Sequence, residues 1–101
     1  MRERRKRLPA IHPGEILRED LQDMQIGINQ LARDLRVPVN RISAIANGKR
    51  SITADTAMRL ARYFGTSAQY WMNLQTSYDL EVAGQTSGTS IERDVLPRHA
   101  A

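Results

Sequence analysis

Five residues near the middle of the chain carry side chains suited to reading the edges of DNA bases. Asn40, Ala44 and Asn47 recur at helical spacing, and Arg41 and Ser43 lie beside them. Asparagine pairs bidentately with adenine and arginine with guanine, serine bonds to several bases, and alanine contacts the methyl group of thymine. A solvated helix face has the same periodicity, so the spacing by itself leaves both interpretations open.

Two short helices joined by a tight turn are predicted to position this face, within residues 27–50. The first helix has apolar residues at i, i+3, i+4 and i+7, namely Ile28, Leu31, Ala32 and Leu35. Pro38 disfavours helical geometry at the residue before it, which places the turn there. In the second helix Ile42 and Ile45 are the expected inward anchors, and Asn47-Gly48 is a typical helix end. The pattern predicts a helix-turn-helix whose second helix presents the polar face.

Groups around this face are expected to hold phosphates. Lys49 and Arg50 follow the second helix and suit phosphate as a point charge and as a fork. Arg36 in the turn and Gly27, the expected N-cap of the first helix, are the other predicted phosphate contacts. Residues 1–12 hold five basic side chains and one acidic, whereas residues 66–101 hold two basic and four acidic. The positive field therefore lies in the half of the chain that contains the motif, where it attracts nucleic acid.

Length and composition favour one helical domain with tails. A chain of 101 residues suits a single domain, and 41% apolar residues in helical periods, without an alternating strand pattern, predict an all-α, five-helix fold. Residues 1–12 are expected to form a flexible basic arm that follows phosphates or enters a minor groove, with a merely solvated tail as the alternative. The domain is expected over residues 13–82. Residues 83–101, rich in Gly, Ser and Thr and without a period, are expected to be a flexible tail.

A wide aromatic stripe is predicted on the last helix. Its members are Tyr70, Trp71, Leu74 and Tyr78. Core packing is the default interpretation, yet so many large side chains exceed what a small domain easily buries, which motivates the hypothesis of a homodimer interface there. Two recognition helices related by a two-fold axis would read a palindromic site whose halves lie roughly 34 Å apart.

Enzymes, metal proteins and membrane proteins are disfavoured by what the sequence contains. The chain has two histidines, His12 and His99, has no cysteine, and shows neither an HExxH motif nor a Gly-rich phosphate loop. We therefore expect no catalytic residues, no metal site and no cofactor. No apolar stretch approaches membrane-spanning length, and the absence of cysteine fits a reducing cytoplasm, so a cytoplasmic protein is expected.

Two levels of family resemblance build on these residues. The lambda-repressor-like helix-turn-helix pattern is matched at Leu31-Ala32, Val37, Ile42-Ser43, Ile45 and Gly48-Lys49. Over residues 11–80 the chain also resembles HigA-type antitoxins, on the segments IHPGEILRED and NGKRSITADTAMRLARYFGTSAQYWMNLQTSYDL. Two positions depart from the superfamily pattern: Arg36 stands where glycine is usual, and Gly27 where a hydroxyl cap is common.

This resemblance implies a lambda-repressor-like fold and a double role. A HigA-type antitoxin binds and neutralises a small toxin, typically an mRNA endonuclease of the HigB type, and represses its own operon by binding operator DNA. Two alternatives stay open. One is a stand-alone repressor without a toxin, and the other is a protein-interaction adaptor in which the basic arm is incidental.

Overall fold

The computed structural model describes residues 10–98, and that range contains five helices and no strand. Their bounds are α1 Pro13–Met24, α2 Ile28–Leu35, α3 Val39–Ala46, α4 Ala54–Phe64 and α5 Ala68–Asp94. The predicted all-α, five-helix architecture is confirmed. Most of the expected basic arm and His99 lie outside the described residues. Within residues 10–98 no helix combines the length and the apolarity needed to cross a bilayer.

The helices begin at residues whose side chains accept backbone N–H groups. His12 caps α1, because its Nδ1 accepts the N–H of Gly14 at 2.9 Å. Thr53 caps α4, and Ser67 caps α5 by accepting the N–H of Tyr70 at 3.0 Å. Each cap satisfies a donor that the first helical turn otherwise leaves unpaired.

One apolar core joins all five helices. Its buried members are Leu17, Leu21, Leu31, Ala32, Leu35, Ile42, Ile45, Ile52, Ala57, Leu60 and Trp71. Helix α3 packs against α1 and α2, and α4 packs against α2 and α5. Ile42 and Ile45 are both 0% exposed, which confirms them as the inward anchors of α3. Each fully buried side chain of this size contributes about 1.5–3 kcal/mol of transfer free energy, so α3 is held to the core from its inner side.

The start of α1 lies directly against the backbone of α3. A Cβ atom built on Gly14 would overlap the carbonyl oxygen of Ile45, closer than any real Cβ approaches another atom. Only a residue without a side chain fits there. The N-terminus of α1 and the second half of α3 are therefore in backbone contact.

The last helix is longer than the sequence predicted. Helix α5 continues to Asp94, so residues 83–94, expected as the first part of a flexible tail, are helical. The hydroxyls of Thr86 and Ser90 donate to the carbonyls of Val82 and Ser87 at 3.0 and 3.1 Å, so hydroxyl residues that favour loops are accommodated on the helix itself. A helix already nucleated by its packed first turns extends at little further cost, and a lack of hydrophobic period does not stop it.

The aromatic stripe of α5 belongs mainly to the core. Trp71 is 1% exposed, and the ring of Tyr78 packs edge-on against the ring of His12 with 4.8 Å between centroids. Leu74 is partly buried against the core, and Tyr70 is 41% exposed. The expectation that Trp71 forms part of a dimer interface is therefore wrong, because a side chain enclosed by its own domain has no surface to offer a second copy.

Candidate nucleic-acid interface

Helices α2 and α3 form the predicted helix-turn-helix. Arg36 ends α2 in the left-handed conformation, with φ of 62°, and its N–H donates to the carbonyl of Arg33 at 3.1 Å. The N–H of Val37 donates to the carbonyl of Ala32 at 3.0 Å, and Pro38 then begins α3 as its N-cap. Three residues thus separate the two helices. An arginine in this backbone conformation carries strain that glycine avoids.

Of the predicted base-reading residues, Asn40, Ser43 and Ala44 lie on the surface of α3 away from Ile42 and Ile45. Arg41 lies at the edge of that surface, towards α4, and Asn47 is the C-cap that follows the helix. Asn40 and Asn47 are exposed, while Ser43, Ala44 and Arg41 are half-buried. The side chains of Asn40, Ser43 and Ala44 are short, so they leave the backbone of α3 close to any surface that packs against it. A helix of this width fits the major groove, with its first residues next to base edges.

Arg41 differs from the other four because another helix holds its guanidinium. Its Nη1 donates to Oδ2 of Asp55 at 2.9 Å, across from α3 to the first turn of α4. Arg59, one turn further along α4, donates from Nε to the same oxygen at 2.9 Å and from Nη1 to the carbonyl of Leu35 at 2.8 Å. We call Arg41, Asp55 and Arg59 the arginine–aspartate cluster. It connects the last residue of α2, the first turn of α3 and the first two turns of α4.

The hydrogen bonds from Arg59 and then from Arg41 lower the pKa of the Asp55 carboxyl below its ordinary value. The carboxylate is therefore ionised throughout the neutral range. Two guanidinium groups around one carboxylate leave the cluster with a net positive charge, which suits the neighbourhood of a polyanion. The sequence does show the i, i+4 spacing of Asp55 and Arg59. It gives no sign that Arg41, on another helix, joins them.

The predicted phosphate contacts are all at the surface. Arg36, Lys49, Arg50 and Gly27 are exposed. Gly27 caps α2 with its backbone, as expected, and makes no side-chain cap bond. Gly48 takes φ of 74° just after α3, so that the N–H of Lys49 returns to the carbonyl of Ala44 at 2.8 Å. This turn directs the chain out of α3 and into the basic loop.

Two buried polar side chains that the sequence did not single out as site residues hold that loop in place. Gln75, 3% exposed on α5, accepts the N–H of Ile52 on Oε1 at 2.7 Å and donates to Asp79 from Nε2 at 2.9 Å. His12 is 6% exposed, and burial lowers the pKa of its ring. The charges of Asp79 and Glu15 and a hydrogen bond with the backbone of Arg50, in the loop, act in the opposite direction and raise that pKa. Gln75 is a polar residue of a type that is usually exposed, and nothing in a single sequence indicates that it is buried. Among residues 10–98 no cluster of three potential metal ligands occurs.

Comparison with known proteins places this geometry in a family. The helix-turn-helix family matches residues 15–71, which contain α2, α3 and α4 entirely. An addiction module antidote protein of the HigA family from Coxiella burnetii superposes with a TM-score of 0.87 at 53% sequence identity, covering 89% of this chain and 99% of that one. The chain belongs to the HigA family of helix-turn-helix proteins.

Two further members of this comparison are similarly close. The Pseudomonas aeruginosa antitoxin HigA, solved with the higBA promoter, superposes with a TM-score of 0.86 at 46% identity, covering 89% of this chain and 99% of that one. Virulence-associated protein I of Dichelobacter nodosus is 56% identical over 79 residues, which are 77% of this chain and 73% of that protein. The similarity to the HigA structures extends over the long last helix as well as the helix-turn-helix.

Proposed function

We propose that this chain is an antitoxin that represses its own operon by sequence-specific binding to operator DNA and that neutralises a HigB-type mRNA-endonuclease toxin. One observation carries the DNA-binding part: α3 turns a low, polar face outward while Ile42 and Ile45 fix its inner face in the core. The Pseudomonas aeruginosa HigA solved with promoter DNA supports the same role here.

Bases are read, in this proposal, by the outer face of α3, and phosphates are held around it. The base-reading residues are Asn40, Arg41, Ser43, Ala44 and Asn47, and the phosphate-binding residues are Arg36, Lys49, Arg50 and the backbone at Gly27. Phosphate contacts position the protein and give salt-dependent affinity, whereas base contacts give selectivity. The protein acts in the cytoplasm, where operator and toxin are both present.

A two-fold pair of chains is part of the proposal, because one short recognition helix reads too few bases to be selective. Of the four stripe residues on α5, Tyr70 is the one exposed above a third of its surface. Light scattering after size-exclusion chromatography tests this directly. A mass of one chain at high micromolar concentration contradicts the homodimer.

DNA binding is tested with duplexes selected by the purified chain from a random-sequence pool. We expect one palindromic sequence to be enriched, and its affinity to fall steeply between low and moderate salt because several phosphates are neutralised. Replacement of Arg41 by alanine should weaken binding to the selected duplex by about 1–3 kcal/mol if Arg41 makes a bidentate base contact. An equal loss on a scrambled duplex assigns Arg41 to phosphate instead, and failure to bind any duplex favours the adaptor alternative.

Toxin neutralisation is tested by growth. The short reading frames next to this gene are expressed in a bacterial host with and without this chain. Growth arrest by one neighbour, relieved when this chain is co-expressed, is the expected result. If no neighbour arrests growth, the antitoxin role is contradicted and the stand-alone repressor is the remaining function.

A further inference from the structure

We propose that Asp55 is a positioning residue that holds the Arg41 guanidinium in the orientation in which it contacts DNA, and so contributes to sequence selectivity without touching a base. The proposal rests on the DNA-binding function proposed above. It adds a residue from outside the helix-turn-helix to the recognition machinery, since Asp55 lies in the first turn of α4.

The geometry gives Asp55 two guanidinium groups on one oxygen. Arg41 Nη1 and Arg59 Nε both lie 2.9 Å from Oδ2 of Asp55. Arg59 is itself fixed by its bond to the carbonyl of Leu35 at 2.8 Å. Arg59 therefore fixes the position of the Asp55 carboxylate. The carboxylate in turn restrains the guanidinium of Arg41. The remaining N–H groups of Arg41 keep the planar fork that bidentate recognition requires.

Orientation is a better account of these contacts than stability. The side chains of Arg41, Asp55 and Arg59 are 26%, 57% and 39% exposed, and ion pairs at such surfaces contribute little to folding. An unrestrained arginine samples many rotamers and loses that freedom when it binds. Pairing with Asp55 restricts those rotamers before DNA arrives.

Sequestration of Arg41 away from DNA is disfavoured by charge. The arginine–aspartate cluster holds two positive groups and one negative group, so a net positive charge remains beside α3. Arg41 also lies in the first turn of α3, which begins at Val39, and the first residues of a recognition helix are the ones that meet base edges. Because Arg59 shares the Asp55 carboxylate, the ion pair with Asp55 does not cancel the positive charge of the cluster.

The test compares affinities of variants for two 30-base-pair duplexes, one carrying the sequence selected by the wild-type chain and one a scramble of equal composition. Asp55→Asn removes the charged acceptor and keeps the size. We expect the ratio of the two affinities to fall about tenfold, as expected for loss of one well-oriented base contact. We expect affinity for the scrambled duplex to stay constant or rise, because a negative charge near the phosphates is lost. Asp55→Glu, which restores the carboxylate, should recover most of the ratio.

Two controls separate positioning from charge and from folding. Asp34→Asn removes the same charge from an aspartate on α2 that accepts the hydroxyl of Tyr63 at 3.0 Å, and it should leave the ratio unchanged. The ratio of the two affinities in Asp55→Asn combined with Arg41→Ala should equal the ratio in Arg41→Ala alone, because Asp55 acts on selectivity through Arg41. Equal changes on both duplexes, an additional loss in the Arg41→Ala background, or the same effect from Asp34→Asn overturns the proposal.

The wild-type chain in the same assay distinguishes this failure from failure of DNA recognition itself. Wild-type preference that persists unchanged in Asp55→Asn overturns the role of Asp55 and leaves the function standing. A wild-type chain with equal affinity for both duplexes overturns both.

Discussion

The two ends of helix α3 are held by different kinds of contact. At its C-terminal end, Gly14 lies against the backbone of Ile45, and the loop that follows is fixed by the buried bond from Ile52 to Gln75. At its N-terminal end, Arg41 is held by exposed charges on α4. Buried contacts of the first kind are costly to break, since nothing replaces them, whereas exposed ion pairs exchange with water at little cost.

The difference shows that one group of contacts can fix the position of a short helix while a separate group orients its exposed side chains. The buried end determines where α3 lies on the core. In our proposal the exposed end determines how the base-reading side chains are presented. Variants at the buried end should therefore change the free energy of unfolding, and variants at the exposed end should change DNA recognition while stability stays the same.

The largest effect is expected from Gly14→Ala. The added methyl group meets the Ile45 carbonyl, so α1 and α3 must move apart, which costs about 2–3 kcal/mol of unfolding free energy. Urea denaturation followed by circular dichroism measures it. Gly84→Ala is the matched control, because a Cβ there meets no atom within 4 Å. Equal unfolding midpoints for the two variants would show that α1 and α3 are not in close contact.

Gln75→Leu should be the next most damaging change. Leucine fills a similar volume but cannot accept the N–H of Ile52, and an unpaired buried donor costs about 1–3 kcal/mol. Gln69→Leu on the same helix serves as control, since Gln69 is exposed and bonds Asn73 at its surface. Thermal unfolding of both variants is compared. A larger loss in Gln69→Leu than in Gln75→Leu contradicts the assignment.

Arg36→Gly should stabilise the chain while it weakens DNA binding. Glycine relieves the left-handed strain at φ of 62°, worth about 1 kcal/mol, but removes a predicted phosphate contact. Gln25→Gly relieves similar strain at φ of 58° after α1 and should stabilise to the same extent. Duplex affinity separates the two, because only Arg36→Gly should lower it. Unchanged affinity in Arg36→Gly, or an equal loss in both variants, would contradict a phosphate contact by Arg36.

The smallest effect is a pH dependence from His12. Burial lowers its pKa in the folded chain, so the unfolded chain binds the proton more readily. The stabilisation that the neutral His12 ring adds to the free energy of unfolding is complete above the unfolded pKa of about 6.5. It is lost as the pH falls through the lower pKa of the folded chain. Protonation of Nδ1 also removes the acceptor for the Gly14 N–H. Unfolding free energies between pH 8 and 5.5 should therefore decline less in His12→Gln than in the wild-type chain. Identical slopes for wild type and His12→Gln contradict this role.

Local pattern was enough to predict the centre of the molecule. Periodicity located α2 and α3 and identified Ile42 and Ile45 as buried, because amphipathic spacing directly reflects which side faces the core. The partner of Arg41 was out of reach, since Asp55 lies fourteen positions away on another helix. The helical structure of residues 83–94 does not follow from their composition, because helix continuation depends on the packed turns that precede them.

The enclosed position of Trp71 also has a consequence for the order of synthesis. Trp71 is the largest side chain of the core and follows every other buried core residue in the chain. While Trp71 is still inside the ribosome, the emerged part of a nascent chain lacks the side chain that packs against α4. Loss of a buried tryptophan costs about 3–5 kcal/mol of stability. The core is therefore incomplete until Trp71 has emerged. A translation product that stops before Trp71 leaves its apolar residues open to proteases.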